Sequence, residues 1–322
     1  MSDWNEQLRD AFRDPAQLAA HLEIPLPLLP PIHPGSGSFP FLVPRPFADR
    51  MERGNALDPL LLQVWPDLAE TAPSADELPD PVGDGNAVRT PGLLRKYHSR
   101  ALLLTTGACA VHCRYCFRQE FPYHHSGSDA RSRMDYLRAH PEIDEVVLSG
   151  GDPLMLGNSA LSRLWSSLEE IPHLRTIRIH TRLPVVLPDR VDRGLLDLLA
   201  GSHPRVAVVV HSNHPRELDA EVARAVAGFR QAGATVLNQS VLLARVNDDV
   251  EVLHELSRRL WEIGVLPYYL HALDRVRGAA RFSVPDSRAV ELVDALRRRA
   301  AGYLVPRLVR EIEGEPSKTP LA

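Results

Sequence analysis

The chain has 322 residues, long enough to bury a sizeable core and to form one large α/β domain with an extension. Hydrophobic residues at 44% and charged residues at 24% are ordinary for a globular protein, and a net charge of -4 gives no electrostatic reason to expect nucleic acid or an anionic membrane. The first residues carry no basic-then-apolar leader, no apolar run approaches the ~20 residues that cross a bilayer, and three cysteines without a disulfide framework fit a reducing compartment, so a soluble cytoplasmic protein is expected.

Residues 3–23 set Trp4, Leu8, Phe12, Leu18 and Leu22 among charged residues. That pattern predicts an amphipathic helix, restarted at Asp14-Pro15, where aspartate caps and proline opens a first turn. Eight prolines between Pro25 and Pro46, around Gly35-Ser-Gly-Ser38, predict a turn-rich connector. A short helix is expected near 58–64. Residues 73–92, rich in proline, glycine and acid, read as a surface crossing. No internal repeat of fixed length is present.

From Leu93 onward apolar strand-like runs recur at 101–105, 145–148, 176–180, 206–211, 235–240 and 265–271. Helix-like stretches alternate with them at 129–139, 159–170, 189–200, 216–231 and 248–263, and a last helix is expected over 286–301. Asn247-Asp248 is a good cap and Gly264 a good stop for the fifth of these helices. Strands rich in Val and Ile suggest burial on both faces, as in a parallel sheet. The expected fold class is α/β: a partial (β/α)6 TIM-like barrel over residues 93–322, with a mainly helical, proline-rich extension over residues 1–92. An open doubly wound sheet is the competing architecture, because periodicity alone does not separate the two.

In such a barrel chemistry collects at the C-terminal ends of the strands. The polar residues follow that rule: Thr105-Thr-Gly-Ala-Cys109, Ser149-Gly-Gly-Asp-Pro153, His180-Thr-Arg182, His211-Ser-Asn-His214, Asn238-Gln-Ser240 and His271-Ala-Leu-Asp274. The first ending opens on "CAVHCRYC", which holds all three cysteines, Cys109, Cys113 and Cys116. An odd number cannot pair within the chain. Three thiolates at this spacing can ligate three irons of a [4Fe–4S] cube and leave the fourth iron open. A zinc site completed by His112 is the alternative, although structural zinc prefers four closed ligands.

A CxxxCxxC loop after the first strand resembles the signature of radical S-adenosylmethionine (SAM) enzymes. Ser149, Gly150, Gly151 and Asp152 match the segment with which that family holds the SAM amino group, and His211 and Gln239 match its SAM-contacting positions. The tail "GYLVPRLVREIEGEPSKTP" resembles that of the lysine 2,3-aminomutases, with Lys318 at the place of their pyridoxal phosphate (PLP) Schiff-base lysine. By physics alone a lysine near a chain end is usually a solvated charge. Lys96, Tyr97 and Arg100 look like that family's cofactor-contacting segment. Arg118 matches the arginine that grips the amino acid carboxylate. Asp274 and Glu311 match the two acids that hold the side-chain ammonium of lysine, the second being aspartate in the free-lysine mutases.

The resemblance runs from about Lys96 to Thr319 and includes "NQSVLLARVND" and "PYYLHALDRV". The segments "DPAQLAAHLEIP" and "VPRPFADRMERGNALDPLLLQV", the tail "EGEPSKTP", and an end four residues past Lys318 look like the short branch, the elongation factor P (EF-P) lysine 2,3-aminomutases. The resemblance therefore implies radical conversion of L-lysine to (R)-β-lysine, an electron donor, and a functional link to EF-P and its lysyl ligase. A free-lysine mutase and a non-catalytic iron–sulfur protein are the competing readings. Tyr123-His-His125 reads as a loop lid or plain surface, and Arg297-Arg-Arg299 as a solvated helix face.

Overall fold

The structure is a computed structural model that describes residues 3–32, 40–72, 77–123 and 130–322. Gly35–Ser38, His124, His125 and the helix start expected at Asp129 lie outside the described residues. Ten strands form one sheet: β1 (Val88–Thr90), β2 (Leu93–Leu94), β3 (Arg100–Thr106), β4 (Glu145–Gly150), β5 (Thr176–Thr181), β6 (Arg205–Val210), β7 (Thr235–Leu242), β8 (Leu266–Ala272), β9 (Arg307–Arg310) and β10 (Thr319–Pro320). Neighbours in the sheet follow chain order throughout. A doubly wound sheet needs a point where that order reverses, so the barrel-like alternative is the one realised.

Strands β3 to β9 run parallel, and the six expected from the sequence are the first six of these. The remaining pairs, β1–β2, β2–β3 and β9–β10, are antiparallel. Side chains span the gap between the two ends of the sheet. Tyr97, between β2 and β3, donates from its hydroxyl to Oε1 of Glu311 beyond β9, at 2.7 Å. Asn86 donates to Glu313 at 2.6 Å.

The helices α1 (Trp4–Arg9), α2 (Pro15–His21), α3 (Arg45–Ala48) and α4 (Pro59–Leu62) belong to the N-terminal segment. The break between α1 and α2 falls at Asp14-Pro15, as expected, with the Asp14 carboxylate accepting from the Ala16 amide at 2.9 Å. Helices α5 (Ala130–Ala139), α6 (Asn158–Glu169), α7 (Leu183–Val186), α8 (Arg193–Ala200), α9 (Ala220–Gln231), α10 (Val250–Glu262) and α11 (Asp286–Arg297) connect the parallel strands. The cap of α10 is Asp249 rather than Asn247-Asp248. Asn247 is instead buried, its amide donating to the carbonyls of Asn213 and Val241 at 2.9 Å each, so a side chain suited to capping ties two strand-end loops together.

The N-terminal segment is not a separate body. Phe47, Leu60 and Trp65 are almost fully buried and share one hydrophobic cluster with Trp165, Val208 and Phe229 of the barrel. The 92/93 boundary read from the sequence runs between the paired strands β1 and β2. Residues 73–92 are also more than a surface crossing, because Val82 and Asp84 are buried there. Of the described residues, no helix is long and apolar enough to cross a membrane.

Candidate active site

Inward-facing side chains of the parallel strands and the loops beyond their ends enclose a cavity of about 280 Å³. Every residue to which the family resemblance assigns a site role lines it: Cys109, Cys113 and Cys116, Ser149 to Asp152, His211 and Gln239, Lys96, Tyr97 and Arg100, Arg118, Asp274, Glu311 and Lys318.

The three cysteines are free thiols in the loop after β3. His112 sits apart from them, its Nδ1 against the Pro40 carbonyl at 2.6 Å. Among the described residues no three His, Cys, Asp or Glu side chains converge tightly enough to hold one metal ion. Three thiols that line one cavity suit a cube, in which each holds a different iron. Burial raises the Cys109 thiol and pushes Cys116 up to about 11, with neighbouring thiols adding to both. Thiolates so placed call for a cationic partner, which iron supplies.

The loop after β4 locks onto the cysteine loop. The amides of Gly151 and Asp152 donate to the carbonyls of Thr106 and Ala108 at 2.7 and 2.8 Å. Gly150 has φ of +126°, and a Cβ on Gly151 would lie 2.3 Å from the Ala108 carbonyl oxygen, so both positions need glycine. Asp152 differs from the open acid that the sequence suggests for an ammonium. Its carboxylate already accepts from the Leu154, Arg182 and Leu183 amides and from the Thr181 hydroxyl, at 2.7 to 3.1 Å. Asp152 thus fixes the turn after β5 against the loop after β4. Across the cavity, the Gln239 amide and the His211 ring are 2.7 Å apart. Burial, with Arg182 and Arg118 adding to it, lowers His211 to about 3, which keeps the ring neutral at physiological pH.

The far side of the cavity is a chain of charges. Lys318 Nζ donates to Glu311 Oε2 at 2.6 Å, so this lysine near the chain end is not a solvated charge. Asp84, 2% exposed, accepts from Lys96 Nζ and from Arg118 Nε, each at 2.7 Å. Burial alone would raise the Asp84 carboxyl; the two cations outweigh it and hold it below its ordinary value. Lys96 also donates to the Val82 carbonyl at 2.7 Å, and Arg118 to the Ser149 hydroxyl at 2.9 Å. Arg100 lies with its guanidinium 4.2 Å from the Tyr97 ring centroid and makes no ion pair among the described residues, which leaves it able to meet an anion. Asp274 is pushed up to about 6, by burial first, with Lys318 opposing and Glu311 adding to the rise.

Sequence reasoning passed over several residues of this site. Asp84 hides in an acid-rich, proline-rich stretch whose composition signals surface. Tyr123, read as lid or surface, is part-buried and donates to the Gly150 carbonyl at 2.7 Å. His180 and His271 face inward with buried Nε2 atoms that find no partner among the described residues. Both stand among the polar strand ends that the sequence marks out, but no role attaches to them there. Arg297 and Arg299 are surface residues paired with Asp294 and Glu251, as expected.

Three thiols in the first loop of a parallel barrel, locked to a Gly-Gly turn at the second strand, define a radical SAM enzyme. A family model described as the radical SAM superfamily matches residues 103–256. The chain is 47% identical to the L-lysine 2,3-aminomutase of Escherichia coli, over 99% of this chain and 94% of that one. It is 44% identical to the L-lysine 2,3-aminomutase of Haemophilus influenzae, over 98% and 95%. The L-lysine 2,3-aminomutase of Clostridium subterminale is 38% identical over 82% of this chain but only 64% of its own length. The chain belongs to the L-lysine 2,3-aminomutase family, a family of isomerases. The cofactors implied by its radical SAM domain are a [4Fe–4S] cluster and SAM, and the cysteine loop fits the first of them.

Proposed function

We propose that this protein converts L-lysine to (R)-β-lysine in the cytoplasm by radical 1,2-amino migration, with PLP held by Lys318, and that the product serves to modify elongation factor P through a separate lysyl ligase. One observation carries the reading: the Lys318 ammonium, the acids Glu311 and Asp274 and the arginine Arg118 face the same cavity as the three cluster cysteines. A non-catalytic iron–sulfur protein has no use for that combination.

When bound, the cluster with SAM supplies a carbon radical able to take an unactivated hydrogen, and PLP supplies a π system that lets nitrogen move between adjacent carbons. The residues of the chain supply placement. Arg118, oriented by Asp84, takes the substrate carboxylate. Asp274 and Glu311 take the far ammonium, and for the same reason repel a second carboxylate, which excludes glutamate. A substrate gripped at both charged ends has a single register, so one hydrogen is offered to the radical. Lys96, Tyr97 and Arg100 would hold PLP, with Arg100 as the cation open to its phosphate. His180, His211 and His271 are all kept neutral by burial and so add no charge and no ready proton to the cavity.

Anaerobic incubation of the reconstituted enzyme with L-lysine tests the reading by omission. β-Lysine is expected only when SAM, PLP and a low-potential reductant are all present. Product formed equally well without PLP would overturn the assignment of Lys318.

A further inference from the structure

We propose that Arg182 is a positioning residue for the iron–sulfur cluster, which raises the potential at which the cluster accepts its electron by hydrogen-bonding the sulfur of Cys113. The inference rests on the cluster assignment, which the iron content of the parent protein tests by itself.

Arg182 follows β5 and its side chain is 6% exposed. Nη1 donates to Cys113 Sγ at 2.6 Å and to the Tyr115 hydroxyl at 2.7 Å. Nη2 donates to Gln63 Oε1 at 2.7 Å. The nearest carboxylate is that of Glu217, 3.4 Å away and itself fully buried. The guanidinium is therefore a buried cation that pairs with Glu217 on one side and is aimed at a cluster ligand on the other.

A dedicated polar network holds it there. Gln63 is fully buried, and its Oε1 also accepts from Asn213 at 3.0 Å and from Tyr115 at 3.2 Å, while its Nε2 donates to Glu217 at 3.0 Å. Glu217 accepts in turn from the amides of Asn213 and His214 at 3.1 Å each. From the other side, Asp152 pins the Arg182 backbone amide at 2.7 Å. Four separate stretches of chain, including the N-terminal segment through Gln63, thus converge on the orientation of one guanidinium. A group needed only to fill space would not need such support.

The chemical consequence follows from charge. Reduction by an external low-potential one-electron donor adds one electron, and so one negative charge, to the cluster and its sulfurs. A fixed cation and an N–H donor on a ligand sulfur stabilise that state more than the oxidised one. Without them the cluster is harder to reduce. This is a property of the chain's own residues and exists before SAM or substrate binds.

The test is a potentiometric titration of the reconstituted cluster, without SAM or PLP, followed by the electron paramagnetic resonance signal of the reduced form. In an Arg182→Met protein that has loaded iron, the reduced-to-oxidised ratio at a fixed potential falls at least tenfold, a shift of ~59 mV for a one-electron couple. Arg182→Lys falls between the two. An unchanged midpoint in an iron-loaded Arg182→Met protein overturns the proposal. If Arg182→Met holds no iron, Arg182→Gln decides. It keeps every cysteine and an N–H donor at this position but removes the charge, and a midpoint lowered in that iron-loaded protein supports the proposal while an unchanged one overturns it.

Discussion

The ammonium of Lys318 and the carboxylate of Glu311 are 2.6 Å apart, and Tyr97 donates to the second oxygen of the same carboxylate at 2.7 Å. Burial works to raise the Glu311 pKa, but Lys318, Tyr97 and Lys96 together hold it below its ordinary value, so the acid is ionised at neutral pH. One carboxylate thus serves both the lysine of the chain and the lysine that the proposed function brings in as substrate. Hydrogen bonds to charged groups contribute about 1.5–3 kcal/mol. Glu311→Gln is expected to raise the KM for L-lysine roughly 10- to 160-fold by that range, measured from initial rates of β-lysine formation. An unchanged KM would remove Glu311 from the ammonium clamp.

Lys318→Ala gives a complementary result. It is expected to lose the visible absorbance of protein-bound PLP while keeping the iron content and SAM binding of the parent. Absorbance like that of the parent would place the PLP attachment elsewhere.

Asp274 makes a pH-dependent contribution of known sign. Its pKa is raised in the folded protein to about 6, so its effect on stability is fully favourable below the unfolded value and is lost as pH rises through about 6. Removing the ionisable group should therefore help the fold at alkaline pH. Thermal unfolding of the cofactor-free protein at pH 8 is expected to show Asp274→Asn melting above the parent, with the gap closing near pH 4. The same titration makes the parent's KM for lysine rise as pH falls through about 6, because a neutral Asp274 no longer attracts the ammonium. A melting gap that is the same at both pH values would contradict the shift.

Asp84 links two parts of the site, and removing its charge leaves the buried guanidinium of Arg118 short of a partner. Breaking one partner of a buried ion pair costs about 3–5 kcal/mol. Asp84→Ala is expected to lower the melting temperature and to reduce kcat/KM by at least tenfold. Asp84→Asn, which keeps one acceptor oxygen but turns a donor toward the other cation, should recover part of the stability and less of the activity. Equal recovery of both would reduce Asp84 to a purely structural group.

Gly151 tests the joint between the two cofactor loops. A methyl group there would lie 2.3 Å from a carbonyl oxygen, whereas one on Gly302 meets nothing within 4 Å. Gly151→Ala is expected to lower iron content after reconstitution, and Gly302→Ala to leave it unchanged. Equal iron content in the two variants would contradict the locked joint.

The long elements and the cysteine loop were legible in the sequence because each carries a local signal. Strands β3 to β8 are apolar runs of six to eight residues, and the cysteines stand within eight positions. The short strands β1, β2, β9 and β10 have two to four residues, too few for a periodicity to show. Asp84, and the contact that Arg182 makes from its strand end, were hidden for a different reason. Nothing in a local stretch tells that an acid in a proline-rich loop lies under an arginine 34 positions away, or that an arginine after β5 lies against a thiol 69 positions back. Gln63 is the plainest case: at the end of a four-residue helix it has no local distinction, and its importance comes only from the three donors that meet its oxygen.

The measurement that tests the account most directly is chiral amino acid analysis after anaerobic incubation of the cluster- and PLP-loaded enzyme with L-lysine, SAM and a strong reductant. The account predicts (R)-β-lysine. The (S) isomer would contradict the link to elongation factor P and favour free-lysine metabolism. No β-lysine from fully loaded enzyme would contradict the aminomutase reading itself, beginning with the Asp274 and Glu311 clamp.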